Sequence, residues 1–78
     1  MKKKYKLKDG GTITAISNPD VVTKLRESSK FDHDISDEQF MYDFAFRYKV
    51  TTHIDIVFDN SDAFVSELIR TGYLMQID

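Results

Sequence analysis

The sequence predicts a two-layer α+β domain: a mixed sheet of about four strands with helices on one face, in the element order ββααβαβ. Three observations lead there. Strict period-two alternation at Lys4–Lys8 and again at His53–Phe58 points to strands with one buried face. Between and after them lie segments that open on capping residues and repeat apolar residues every three or four positions, as amphipathic helices do. The length, 78 residues, allows one domain and no more, so residues 1–78 are read as a unit.

Each element has its own signal. In the first strand Tyr5 and Leu7 share a face, with Lys4, Lys6 and Lys8 on the other. Asp9-Gly10-Gly11 is a turn, and the β-branched run Thr12–Ile16 completes a hairpin. Asn18-Pro19-Asp20 opens a helix: Asn18 as cap, Pro19 at the first helical position, Asp20 at the positive dipole end. Val21, Val22 and Leu25 give it a narrow apolar stripe, and it is expected to end near Ser29. Residues 30–35 connect to a second helix, where Ser36 and Gln39 form a capping box and Ile35 and Phe40 occupy the staple positions. That helix is expected to run to about Lys49. Ile54, Ile56 and Phe58 then define the inner face of a third strand. Asp59-Asn60-Ser61 is a turn followed by an N-cap, and Phe64, Val65, Leu68 and Ile69 mark the apolar face of a third helix. Gly72 stops it, and Tyr73–Ile77 is the last strand. The closing βαβ unit is expected to be a right-handed crossover with parallel strands.

Composition excludes several classes of function. Eleven Lys and Arg against 13 Asp and Glu leave a formal charge of −2, unlike a globally basic nucleic-acid binder. There is no cysteine, so no disulfide or thiolate metal site, and a reducing, cytoplasmic setting is expected. The basic N-terminus leads into alternation instead of the apolar core of a signal peptide, and no apolar run reaches membrane-spanning length.

Four constellations carry possible chemistry. The open sheet face is expected to show Lys4, Lys6, Lys8, Thr12, Thr14, His53, Asp55 and Gln76. Its aromatics fall on the buried side, which argues against base stacking. Lys2, Lys3, Lys4, Lys6 and Lys8 remain an alternative phosphate-contacting set, although lysines on an edge ordinarily guard against aberrant strand pairing. His53 and Asp55, two apart on one strand face, have the makings of a general base. No nucleophile elbow accompanies them, so no enzyme and no cofactor are expected. Asp32-His33-Asp34 concentrates possible metal ligands on one loop, where adjacent residues rarely converge.

The fourth constellation is the second helix. Phe40, Met41, Phe44, Ala45 and Tyr48 form one broad apolar face, while Tyr42 and Phe46, four apart, form a second stripe. Either the first helix or the 30–35 connector covers that stripe, through Val22 or Phe31, or it is a surface for a partner protein or a second copy. The interface residues expected are Tyr42 and Phe46, with Phe31 at the rim and Asp43 and Arg47 setting register.

The run Lys6-Leu7-Lys8-Asp9-Gly10, the Asn18-Pro19 helix start with Arg26-Glu27-Ser28-Ser29 at its end, Phe40–Arg47, Ser61-Asp62-Ala63-Phe64-Val65 and Gly72-Tyr73-Leu74 resemble small accessory proteins carried on bacterial mobile elements. The resemblance spans most of the chain. It implies an accessory role, such as regulating or inhibiting another protein, and carries over no catalytic or binding residues.

Overall fold

Alternation makes the hairpin. In β1 (Lys3–Leu7) Tyr5 and Leu7 are buried and the lysines exposed; in β2 (Thr12–Ala15) Ile13 and Ala15 are buried and the threonines exposed. The computed structural model describes residues 2–29 and 34–77. The turn between the strands closes with the Leu7 amide donating to the Gly11 carbonyl at 2.7 Å, and Gly10 supplies a φ of 105° that other residues rarely adopt.

Three helices follow: α1 (Asn18–Ser28), α2 (Asp37–Thr52) and α3 (Ser61–Arg70). Ser17, not Asn18, caps α1, its Oγ accepting from the Asp20 amide at 3.2 Å. Asn18 instead donates from Nδ2 to Asp62 at 2.8 Å, tying the start of α1 to the start of α3. Ser36 caps α2 as expected, but only half of the capping box forms, because Gln39 Nε2 turns along the helix to Asp43. Asn60 caps α3 by accepting from the Ala63 amide. Helix α3 ends in a Schellman motif: the Tyr73 amide reaches the Leu68 carbonyl, the Gly72 amide reaches Ile69, and Gly72 takes a φ of 88°.

That turn sends β3 (Leu74–Gln76) back along β1, giving a three-stranded, wholly antiparallel sheet in the order β2-β1-β3. The fold class is α+β with one sheet face covered by helices, as expected, but the order is ββαααβ. The fourth strand and the parallel crossover do not form. Residues 53–58 keep the alternation: Ile56 is buried, Ile54 and Phe58 half-buried, Asp55 and Val57 exposed. Yet among the described residues no strand pairs with them. Helix α2 runs three residues past Lys49, and His53 leaves it in the left-handed conformation, φ 63°. The ring of Phe58 then lodges between Tyr42 of α2 and Phe64 of α3, 5.2 Å from each. The segment is a strap pinned between helices, and its amides find side chains: Ile54 donates to Thr52 Oγ1 and Val57 to Glu67 Oε1.

The core lies between sheet and helices. Phe64, Leu68, Val21, Val22 and Leu74 are its most enclosed side chains. Phe44 is an aromatic hub, its ring 5.0–5.9 Å from those of Phe40, Tyr48, Phe64 and Tyr73. Among the described residues no helix is long and apolar enough to cross a membrane.

Candidate protein-interaction surface

Helix α2 is apolar on two sides. Its inner side carries Phe40, Met41 and Tyr48 into the core, with Phe44 and Ala45 packed against them. That side already supplies what a helix needs to dock on a small sheet. On its outer side Tyr42 is 58% exposed, Phe46 71% and Val50 60%. These three stand four residues apart, the spacing that lines side chains along one helical stripe. Helix α1 does not cover them, because its Val22 is wholly enclosed in the core. Phe31, the other expected cover and rim contact, lies outside the described residues. Tyr42 is anchored on one edge by its contact with Phe58, and next to Phe58 in the chain Val57 is 74% exposed. Exposed Tyr and Phe side chains on one helix are of the kind enriched in interface cores.

The charges of α2 are sorted along the helix. Asp37, Glu38 and Asp43 stand in its first half; Arg47 and Lys49 stand in its second. Asp37 is held by the Thr23 hydroxyl and by Arg26 Nε at 2.6 Å. Partial burial disfavours its carboxylate, but those two donors outweigh burial and keep its pKa below the ordinary value. Asp43 accepts from Gln39 at 2.8 Å, and Lys49 bridges to Asp55 on the strap at 3.1 Å, with both ends of that pair well exposed. Arg47 stands on another flank of the helix. There it lines a cleft of about 190 Å³ with Asp9, Phe40, Phe44 and Tyr73, smaller than the ~300 Å³ at which ligand pockets begin.

The other expected sites separate. His53 caps α2 and Asp55 pairs with Lys49, so they are not neighbours on a strand face. Of Asp32-His33-Asp34, the first two lie outside the described residues. On the open sheet face Lys4 and Lys6 are exposed beside Thr14 and Thr12, with Lys2 and Lys8 exposed at either end. Lys3 pairs with Ala15 and shares the parity of Tyr5. Gln76 sits opposite Tyr5, so it too belongs to the helix side, and Met75 replaces it on the lysine face opposite Lys6. Sequence reasoning missed Val50 as the third member of the α2 stripe, although the four-residue spacing that found Tyr42 and Phe46 reaches it. Comparison with protein-family models, with curated proteins and with solved structures gives no match to this chain.

Proposed function

We propose that this domain is a non-enzymatic protein-interaction module. It acts in the cytoplasm as an accessory that regulates or inhibits another protein, the role implied by its likeness to small mobile-element proteins. It binds through the outer face of α2, with Tyr42 and Phe46 as anchors. The observation that carries this reading is the exposure of two large rings on a helix whose inner face already fills the core. Single exposed apolar residues are ordinary, but a row of them on one rigid element marks a contact surface.

Replacing both rings, Tyr42→Ser with Phe46→Ser, tests it. The expected variant keeps the wild-type circular dichroism spectrum and loses the association that wild type shows, whether with itself or with a protein from the source organism. A variant that unfolds, or that binds as wild type does, contradicts the reading.

A second reading draws on a different observation, the column of Lys2, Lys4, Lys6 and Lys8 along the central strand. In it the sheet face contacts a polyanion. Four phosphate contacts imply that affinity for a single strand falls with salt at a logarithmic slope of roughly −3. Absence of any complex at low salt removes this reading.

A further inference from the structure

We propose that the open face of the sheet is a second docking surface, and that it takes an acidic segment of a partner protein in which carboxylates bracket an apolar side chain. Lys2, Lys4, Lys6 and Lys8 stand in one column on this face, at the two-residue period that sets side chains on a strand roughly 7 Å apart. Lysines on an edge strand block aberrant pairing, but the sheet order β2-β1-β3 puts this column on the middle strand, which has no edge to guard. Among the described residues none of the four forms an ion pair; the bridges there join Arg26 to Asp37, Lys49 to Asp55 and Arg70 to Glu67. A face that needed only water would mix both signs of charge. Here four like charges repel one another along a single line, and an acidic group from outside the chain relieves that repulsion.

The neighbours of the column select the kind of anion. Met75, 62% exposed, lies opposite Lys6; Ile77, 48% exposed and of the same parity, donates its amide to the Lys4 carbonyl at 2.9 Å. Lys6, Leu7, Lys8, Gly72 and Met75 line a hollow of about 240 Å³ on this side of the sheet. Gly72 has no side chain to fill it, and a Cβ there would meet no atom within 4 Å. An apolar side chain from a partner has room in that hollow, with two lysines beside it for flanking carboxylates. A phosphate backbone brings charge but nothing apolar to place there, and its bases find no ring to stack on, because Tyr5 of the same strand is buried on the helix side. An anionic bilayer meets the long lysine side chains first and holds Ile77 short of the hydrocarbon. Extent points the same way. The column runs about 20 Å on a chain of net charge −2, so the surface beyond these four lysines is acidic and repels a polyanion that extends past them. A short acidic segment stays within the basic face.

A nuclear magnetic resonance titration of the isotope-labelled chain tests this with the end-capped peptide Glu-Ser-Leu-Ser-Glu-Ser-Leu-Ser-Glu, which sets carboxylates and leucines alternately along one side of an extended segment. Saturable shifts are expected at the amides of Lys4, Lys6, Lys8 and Met75. Lys4→Glu with Lys6→Glu, both on the exposed face, removes them and leaves the rest of the spectrum in place. Met75→Ser weakens the peptide by about threefold or more, as loss of an apolar contact does. The same peptide with serine in place of leucine, a thymidine tetranucleotide and phosphatidylserine vesicles are each expected to bind more weakly. The proposal is overturned by a peptide that gives no saturable shift, by a leucine-free peptide that binds equally well, or by tighter binding of the tetranucleotide or the vesicles. Tighter binding of the tetranucleotide leaves the phosphate reading of this face in its place. None of these outcomes bears on the α2 face, which lies on the other side of the sheet.

Discussion

Tyr73 and Tyr42 differ in what surrounds them. Tyr73 is wedged edge-on against Phe44 and Tyr48, and its hydroxyl faces Asp9 at 3.4 Å. Burial, and then the neighbouring carboxylate, push its pKa up to about 12 from an ordinary 10.0. Because the folded value lies above the unfolded one, the neutral phenol's contribution to stability is complete below pH 10 and is lost as the pH rises through about 12. The difference between the near-ultraviolet titrations of wild type and Tyr73→Phe is expected to have its midpoint near 12; a midpoint near 10 contradicts the placement. Tyr42 shares only its contact with Phe58 and leaves most of its ring in solvent. The sequence spacing placed Tyr42 on the outer stripe of α2 and Tyr73 in the segment that follows Gly72, but specified the surroundings of neither ring.

At the scale of elements, the strap is where sequence and structure part. Period-two alternation records that one side of an extended segment is buried, and residues 53–58 meet that condition. It does not record whether the backbone is paired. What decided the outcome was Phe58, whose ring sits between α2 and α3, and the left-handed turn at His53. Neither is visible in a pattern of polar and apolar letters. The hairpin, by contrast, was legible because Asp9-Gly10-Gly11 fixes the turn and the register follows. The Schellman stop was legible because Gly72 stands where the left-handed residue must be. Once the strap is seen, the antiparallel placement of β3 follows from the short turn out of α3. The strap is expected to be held by side chains and not by a ladder. Ile56→Ala should cost roughly 2–3 kcal/mol in urea unfolding, as a buried isoleucine does, while Val57→Ala stays within about 0.5 kcal/mol. Hydrogen exchange should be fast at the amides of 55–58 and slow at those of β1; slow exchange along the strap signals sheet pairing instead.

At the scale of the molecule, a sheet of three short strands offers little area, and three helices share one face of it. Among the described residues helix α2 is the longest element, and it carries apolar residues on two sides, so it both closes the core and faces outward. The lysine column on the opposite sheet face and the sorted charges on α2 leave the two surfaces with different characters on a chain of net charge −2. The candidate surface was half legible in sequence. Spacing placed Tyr42 and Phe46 on one stripe, but their exposure depended on where α1 and the strap came to rest, which no local pattern specifies.

The most direct measurement is the unfolding free energy of the chain carrying Tyr42→Ser and Phe46→Ser, taken from urea melts at a concentration where wild type is monomeric. If the outer rings of α2 face a partner, the variant stays within about 1 kcal/mol of wild type with an unchanged m-value, as surface substitutions do. A loss of about 3 kcal/mol or more, the scale of truncated core aromatics, means the rings hold the monomer together and the outer face of α2 is not a binding surface.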